Sequence, residues 1–180
     1  MNATNRETKP FACASRNDAG RELGSRALPR EEEAIVSEAK KVLEQAIDYW
    51  NAGNRDGWAT LYSDDVTYEA PGGSRISGLA DLKKKYFDAL LTAAPDRSSS
   101  DVILVSEGDY VVEQARYTGT HTGPLRDPDG AEIPATGRTF DFPFVGIFRV
   151  QDGKIRSIRI FYDQIEIFTQ LGLIPGAAAQ

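Results

Sequence analysis

The sequence is poor in the residues that most often carry metal, redox or covalent chemistry. It holds one cysteine, Cys13, and one histidine, His121. A lone thiol cannot build a disulfide framework, and one histidine without a neighbouring cysteine gives no basis for a zinc site. No apolar run approaches the roughly 18 residues that a membrane-spanning helix needs. Positive charge is not in excess either: 21 Lys and Arg stand against 27 Asp and Glu, a formal net charge of −6. With no basic stripe to neutralise phosphates, nucleic acid is not an expected partner, and an anionic membrane surface would repel the chain. G-x-S-x-G, the P-loop and the dinucleotide glycine fingerprint are all missing. These absences leave cofactor-free acid–base chemistry or plain binding of a small apolar organic ligand. No metal or cofactor is expected. The N-terminal stretch lacks the apolar core of a secretory signal, so a cytoplasmic location is expected.

A chain of 180 residues that is 41% hydrophobic suits one domain with a tail. Residues 1–29 read as a polar, patternless leader, 30–175 as the domain and 176–180 as a tail. From Arg30 the residues Ile35, Ala39, Val42, Leu43, Ala46, Ile47 and Trp50 recur at helical spacing. A second, short helix capped by Asn54 carries Trp58, and a third carries Leu79, Leu82, Tyr86, Phe87 and Leu90 up to Pro95. A short strand through Val66 and Tyr68 lies between the second and third. After Asp101 the period changes to two. Strands are expected at 102–106, 110–121, 138–150 and 154–162, with tight turns at "EGD" and "QDGK". "GPLRDPDGAEIPATG" is a long loop, and a short helix follows Asp163. The expected fold class is therefore α+β: a curved antiparallel sheet covered by three N-terminal helices, with a short C-terminal helix.

Several strings carry a family resemblance. "YWNAGNRDGWATLYSDDVTYEAPGG", "GTHTGPL", "GIFRVQDGKI" and "FYDQIEIFTQLGL", in this order, resemble the SnoaL-like, polyketide-cyclase-related branch of the nuclear-transport-factor-2-like superfamily over about residues 33–174. The resemblance implies a cone-shaped α+β barrel. That fold hosts cyclases, isomerases, dehydratases, epoxide hydrolases and non-catalytic members. "TGRTFDFPFVGIFRVQDGKI" followed by "RIFYD" is similar to the limonene-epoxide-hydrolase branch. By that likeness Arg116 and Tyr68 match an arginine and a tyrosine of its site. Thr118, Ile160 and Ala70 stand where two acids and an asparagine are expected. The cyclase likeness implies a general acid or base at or near Ile160, and Asp163 is the acid closest to it.

Aligned in this way, Gln114, Arg116 and Thr118 face inward on one strand, and Asp141, Pro143, Val145 and Ile147 on the next. Ile158, Ile160 and Tyr162 face inward on the last. Arg116 then pairs with Asp141 inside the pocket. Phe142, Phe144 and Phe148 fall on the other face, which implies a homodimer or a covering helix. His121 suits proton shuttling, and Asp163 with Glu166 forms a helix-capping box. Glu113, Asp64 and Asp65 read as solvated. The first reading is a cofactor-independent cyclase, isomerase, lyase or dehydratase acting on an apolar carbonyl-bearing secondary metabolite. Asp141, His121 and Asp163 supply its acid–base pair, and Arg116 or Tyr68 steadies an enolate oxygen. Trp50, Tyr68, Thr118, Val145, Ile147, Ile160 and Tyr162 line its pocket. The alternatives are a non-catalytic binding or dimerisation domain and an epoxide hydrolase with altered acids.

Overall fold

In a computed structural model the described residues are 30–126 and 131–174, with side chains from Glu38 onward. The expected leader and tail, Cys13 and the side chain of Ile35 lie outside them. Helix α1 (Arg30–Asn51) turns Ala39, Leu43, Ala46 and Trp50 into the core. The short α2 (Arg55–Ala59) is capped by Asn54, whose side chain accepts from the Gly57 amide. It carries Trp58 inward. Strand β1 (Tyr62–Ala70) and β2 (Ser74–Ser77), joined by a 3₁₀ turn, form a hairpin.

The third helix is continuous from 79 to 93 but not uniform. Its ends, α3 (Leu79–Leu82) and α4 (Ala89–Ala93), flank a π-helical stretch, Lys83–Asp88. Such a stretch inserts an extra residue into the turn, and π segments often mark functional places. Here it carries Tyr86 and Phe87, both packed against Trp50.

The long strands are β3 (Ser98–Glu107), β4 (Tyr110–Thr120), β7 (Thr139–Gln151) and β8 (Lys154–Tyr162). Two-residue strands β5 (Leu125–Arg126) and β6 (Glu132–Ile133) pair within the long loop, and α5 (Gln164–Gln170) is the last element among the described residues. The six-stranded sheet runs β2-β1-β8-β7-β4-β3. The α+β expectation holds, with one difference: the sheet is mixed, because β1 pairs parallel to β8. A strand separated from its neighbour by the whole meander can join in either direction, and the sequence pattern does not specify which. Register shifts in β1/β8, β3/β4 and β7/β8 bend the sheet, which stays unclosed. In the β7–β8 turn Asp152 and Gly153 both take positive φ, 53° and 69°, as a two-residue hairpin requires.

The inner face is not the one the alignment placed there. On β4 the buried residues are Val111, Glu113 and Ala115, and on β7 they are Phe140, Phe142, Gly146, Phe148 and Val150. Gln114 and Asp141 are exposed, and Val145 and Ile147 share their outer face. The true register is thus one residue away from the expected one, and a slip of one sends every side chain to the opposite face. Aromatic area decides it. A row of phenylalanines gains far more from burial than Pro143 with Asp141 and Arg116, the two charged residues of that set, which would need compensation inside. On β8 the expectation holds: Ile158 and Ile160 are buried and Tyr162 is half-buried.

Candidate active site

A cavity of about 50 Å³ lies between the helices and the inner face of the sheet. Leu43, Ala46, Ile47 and Trp50 of α1, Trp58 of α2, and Tyr86 of the π segment form the helical wall. Tyr62, Ser99, Glu113, Phe144, Phe148, Ile158 and Ile160 form the rest. Across the sheet Leu104, Glu113, Gly146 and Ile160 make one row of directly paired residues. Gly146 keeps the middle of that row low. A Cβ there would come within 2.5 Å of the Phe148 ring, so any larger residue forces that ring to move.

Glu113 is the one carboxylate of this wall and is only 3% exposed. It has no hydrogen-bond or ion-pair partner among the described residues. Burial therefore pushes its carboxyl up to about 7. The phenols of buried Tyr62 and half-buried Tyr86 are raised well above their ordinary value, chiefly by desolvation; Glu113 adds to this at Tyr62, and neighbouring tyrosines add more than Glu113 does at Tyr86. They stay protonated near neutrality and can donate to an oxygen. A carboxyl that titrates near neutral pH among aromatic rings, with phenol donors in the same wall, is suited to taking and returning a proton.

The residues singled out from sequence are dispersed. Trp50 and Ile160 do line the cavity. Tyr68 is buried behind the wall, its ring 4.7 Å from that of Tyr86, and Tyr162 sits farther along, 5.6 Å from Phe142. Thr118, Val145 and Ile147 lie on the outer face, away from the cavity. Arg116 and Asp141 do pair, at 2.7 Å, but outside, with side chains 40% and 56% exposed. Their inward placement is overturned by the register. An exposed pair of this kind contributes about 0–1 kcal/mol. Asp141→Asn should accordingly change stability by less than about 1 kcal/mol in a denaturant titration and leave activity intact; a large loss of activity would return Asp141 to the site.

Asp163 caps α5, accepting from the Ile165 and Glu166 amides. Only half of the expected capping box forms, because the Glu166 carboxylate accepts from Gln170 instead. Gln170 also bonds the backbone of Asp141 in both directions, at 2.7 and 3.0 Å, which ties α5 to the free end of β7. His121 is 1% exposed and locks the base of the long loop. Its Nδ1 accepts from the Thr136 amide at 3.3 Å, while its own amide donates to Arg138. Burial lowers its pKa, and a nearby Gly123 carbonyl opposes that. His121 does not line the cavity.

Sequence reasoning missed Glu113, reading it as a solvated strand residue. The signal was available in "YVVEQARY": Val111, Glu113, Ala115 and Tyr117 alternate with Gln114 and Arg116. Among the described residues no group of three or more His, Cys, Asp or Glu could hold a metal ion, and no helix is long and apolar enough to cross a membrane.

A curved, unclosed mixed sheet of six strands under helices is consistent with the cone fold of the nuclear-transport-factor-2-like superfamily. The sequence model of the SnoaL-like polyketide cyclase family matches residues 40–171, and the chain belongs to that family of small-molecule-processing proteins. Similar solved structures include a candidate SnoaL-like polyketide cyclase from Jannaschia sp. CCS1, with a TM-score of 0.68 and 23% identity over 78% of this chain and 96% of that one. AclR, a candidate hydroxylase from Streptomyces galilaeus, gives 0.64 and 23% over 78% and 84%. An LEH-like epoxide hydrolase from M. tuberculosis gives 0.58 and 19% over 77% and 92%. At these identities the likeness concerns the fold. Among curated proteins none matches the chain.

Proposed function

We propose that the protein is a cofactor-independent acid–base enzyme in which Glu113 moves a proton α to the carbonyl of a small apolar compound, in a cyclisation, isomerisation or dehydration. The observation that supports this is one solitary carboxyl, buried in an aromatic cavity and raised to about 7. Near neutral pH both of its forms are populated, so the same group can accept the α-proton and return it. Tyr62 or Tyr86 donates to the oxygen that becomes the enolate. The aromatic walls bind the apolar body.

At about 50 Å³ the cavity holds a few waters, whereas small-molecule pockets run to roughly 300–1,000 Å³. A substrate enters by displacing ring surface, and the π-helical turn under Tyr86 is the piece of wall with the least regular backbone. The narrowness of the hollow favours a second reading, a cone that has kept its packing and lost its chemistry. Exchange of the α-protons of an aryl ketone such as α-tetralone in heavy water, followed by NMR, separates the two. Protein-dependent exchange that disappears in Glu113→Gln supports the enzyme; exchange at the buffer rate in both proteins supports the packed cone.

The homodimer expectation now rests on different residues, since the phenylalanines that suggested it face inward. Ile103, Val105 and Phe161 stand on the outer face with half or more of their surface in water. A second copy laid on this face would cover them. Sedimentation equilibrium should give twice the 19.7 kDa of the chain, and a monomer at micromolar concentration contradicts the dimer.

A further inference from the structure

Arg97, just ahead of β3, is 3% exposed. Among the described residues no carboxylate lies within ion-pairing distance of it. Its Nη2 donates to the Trp50 carbonyl at 3.3 Å, and its buried Nε has no partner. The guanidinium carbon lies 4.1 Å from the Trp50 ring centre and 5.0 Å from that of Phe87. Ring faces offset part of the cost of burying this cation, but they do not satisfy N–H donors. Close by, the hydroxyl of Tyr117 is likewise buried and without a partner. Burying two unmatched donor groups is costly unless something brings the acceptors.

Neither group lines the Glu113 cavity, but each lies directly behind residues that do. Ser99 lines that cavity and is the cross-strand partner of Tyr117. Arg97 precedes Ser99 by two residues, and the two are buried together on the inner side. Trp50 lies under the guanidinium and in the cavity wall at once. Glu113 and Tyr117 are four residues apart on one strand, about 13 Å. A ligand that enters the cavity and moves Trp50 or Ser99 aside would meet the acid at one end and the donors at the other.

We propose that Arg97 and Tyr117 form a carboxylate-binding subsite, so that the ligand of the cavity is an apolar, ring-bearing carboxylic acid. The proposal rests on reading the cavity as the ligand site, but not on proton transfer by Glu113. Guanidinium N–H groups and a phenol O–H offer donors of matched geometry to a carboxylate and nothing to an uncharged hydrocarbon end.

The test is a titration monitored by the fluorescence of Trp50 and Trp58 at pH 8, with 1-naphthoate and its neutral counterpart 1-naphthamide. The wild-type protein should bind naphthoate about tenfold or more tightly than naphthamide. Arg97→Met should remove that preference, and Tyr117→Phe should weaken naphthoate by about threefold, while naphthamide, an uncharged and weaker acceptor, loses less in both. Tyr117→Phe deletes only an unpaired hydroxyl, so it folds and carries the test even if Arg97→Met does not. Failure of the wild type to bind naphthoate, equal affinity for the two probes, a preference undiminished in Tyr117→Phe, or one that survives in folded Arg97→Met overturns the proposal. Glu113→Gln should keep the naphthoate preference. A catalytically silent Glu113 would thus leave the subsite standing, and loss of the preference alone would leave the acid–base reading standing.

Discussion

Glu113→Gln is expected to lower turnover by about 10²–10⁴-fold while making the protein more stable at alkaline pH. The first part follows from position: no other acid lines the cavity, so nothing replaces the lost carboxyl. The second follows from linkage. The carboxyl is raised from 4.5 to about 7 by burial, so the folded chain binds more protons than the unfolded chain between those two values. Its contribution is most favourable below pH 4.5, is lost as pH rises through this window, and is flat above 7. The rise corresponds to about 3 kcal/mol, an order-of-magnitude figure for the cost of holding the ionised form inside. Gln keeps the shape and removes the charge, although its amide is itself left to find partners. Stability at pH 8 should therefore increase by about 1–3 kcal/mol and at pH 4.5 hardly at all, as read from urea midpoints at the two pH values. The same titration enters the rate: kcat/KM should change with a midpoint near 7 in the wild type, and the variant's residual rate should lack that step. A variant that loses stability equally at both pH values and keeps its activity would show Glu113 to be a packing residue.

The second large effect is structural. Trp58→Ala should destabilise the fold by about 3–5 kcal/mol. Trp58 is fully enclosed, with ring centres 4.1 Å from Tyr62, 5.0 Å from Phe87 and 6.4 Å from Trp50. The helix that bears it has five residues and leans on the Asn54 cap, so backbone propensity alone does not hold it in place. Removing the indole opens one side of the cavity and takes from Tyr62 and Phe87 the ring each packs against on that side. A drop in melting temperature of about 10 °C or more is expected for a domain of this size. A drop below about 2 °C would mean that the helical wall does not pack as described.

Much of the architecture was legible because two periodicities announce themselves. The 3.6-residue stripe through Leu43, Ala46 and Trp50 and the alternation after Asp101 correspond to the observed helix and strands. "QDGK" became the hairpin that its Asp-Gly pair requires. The parallel pairing of β1 with β8 was not legible, since local pattern says nothing about the direction of a distant partner. Neither was the π segment, whose residues read as an ordinary amphipathic helix.

The site was partly legible. Trp50 and Ile160 line the cavity, and Arg116 pairs with Asp141 on the outer face instead of the inner one. Stretch 140–150 contains apolar residues at both odd and even positions, Phe142 and Phe144 against Val145 and Ile147, so alternation alone admits two registers. Area favours the phenylalanines, and charge disfavours burying Arg116. Weighing those two terms would have turned β4 over and brought Glu113 inward. The Arg97 site had no such signal, because an arginine after a helix-ending proline looks like any loop cation.

The most direct measurement is the titration of Glu113 itself. Infrared difference spectra of the protonated carboxyl band, wild type against Glu113→Gln from pH 3 to 9, isolate this one group. A midpoint near 7 is the expected result. A midpoint near the ordinary 4.5 would show the carboxylate to be solvated, and the proton-transfer account would then have no group to carry it.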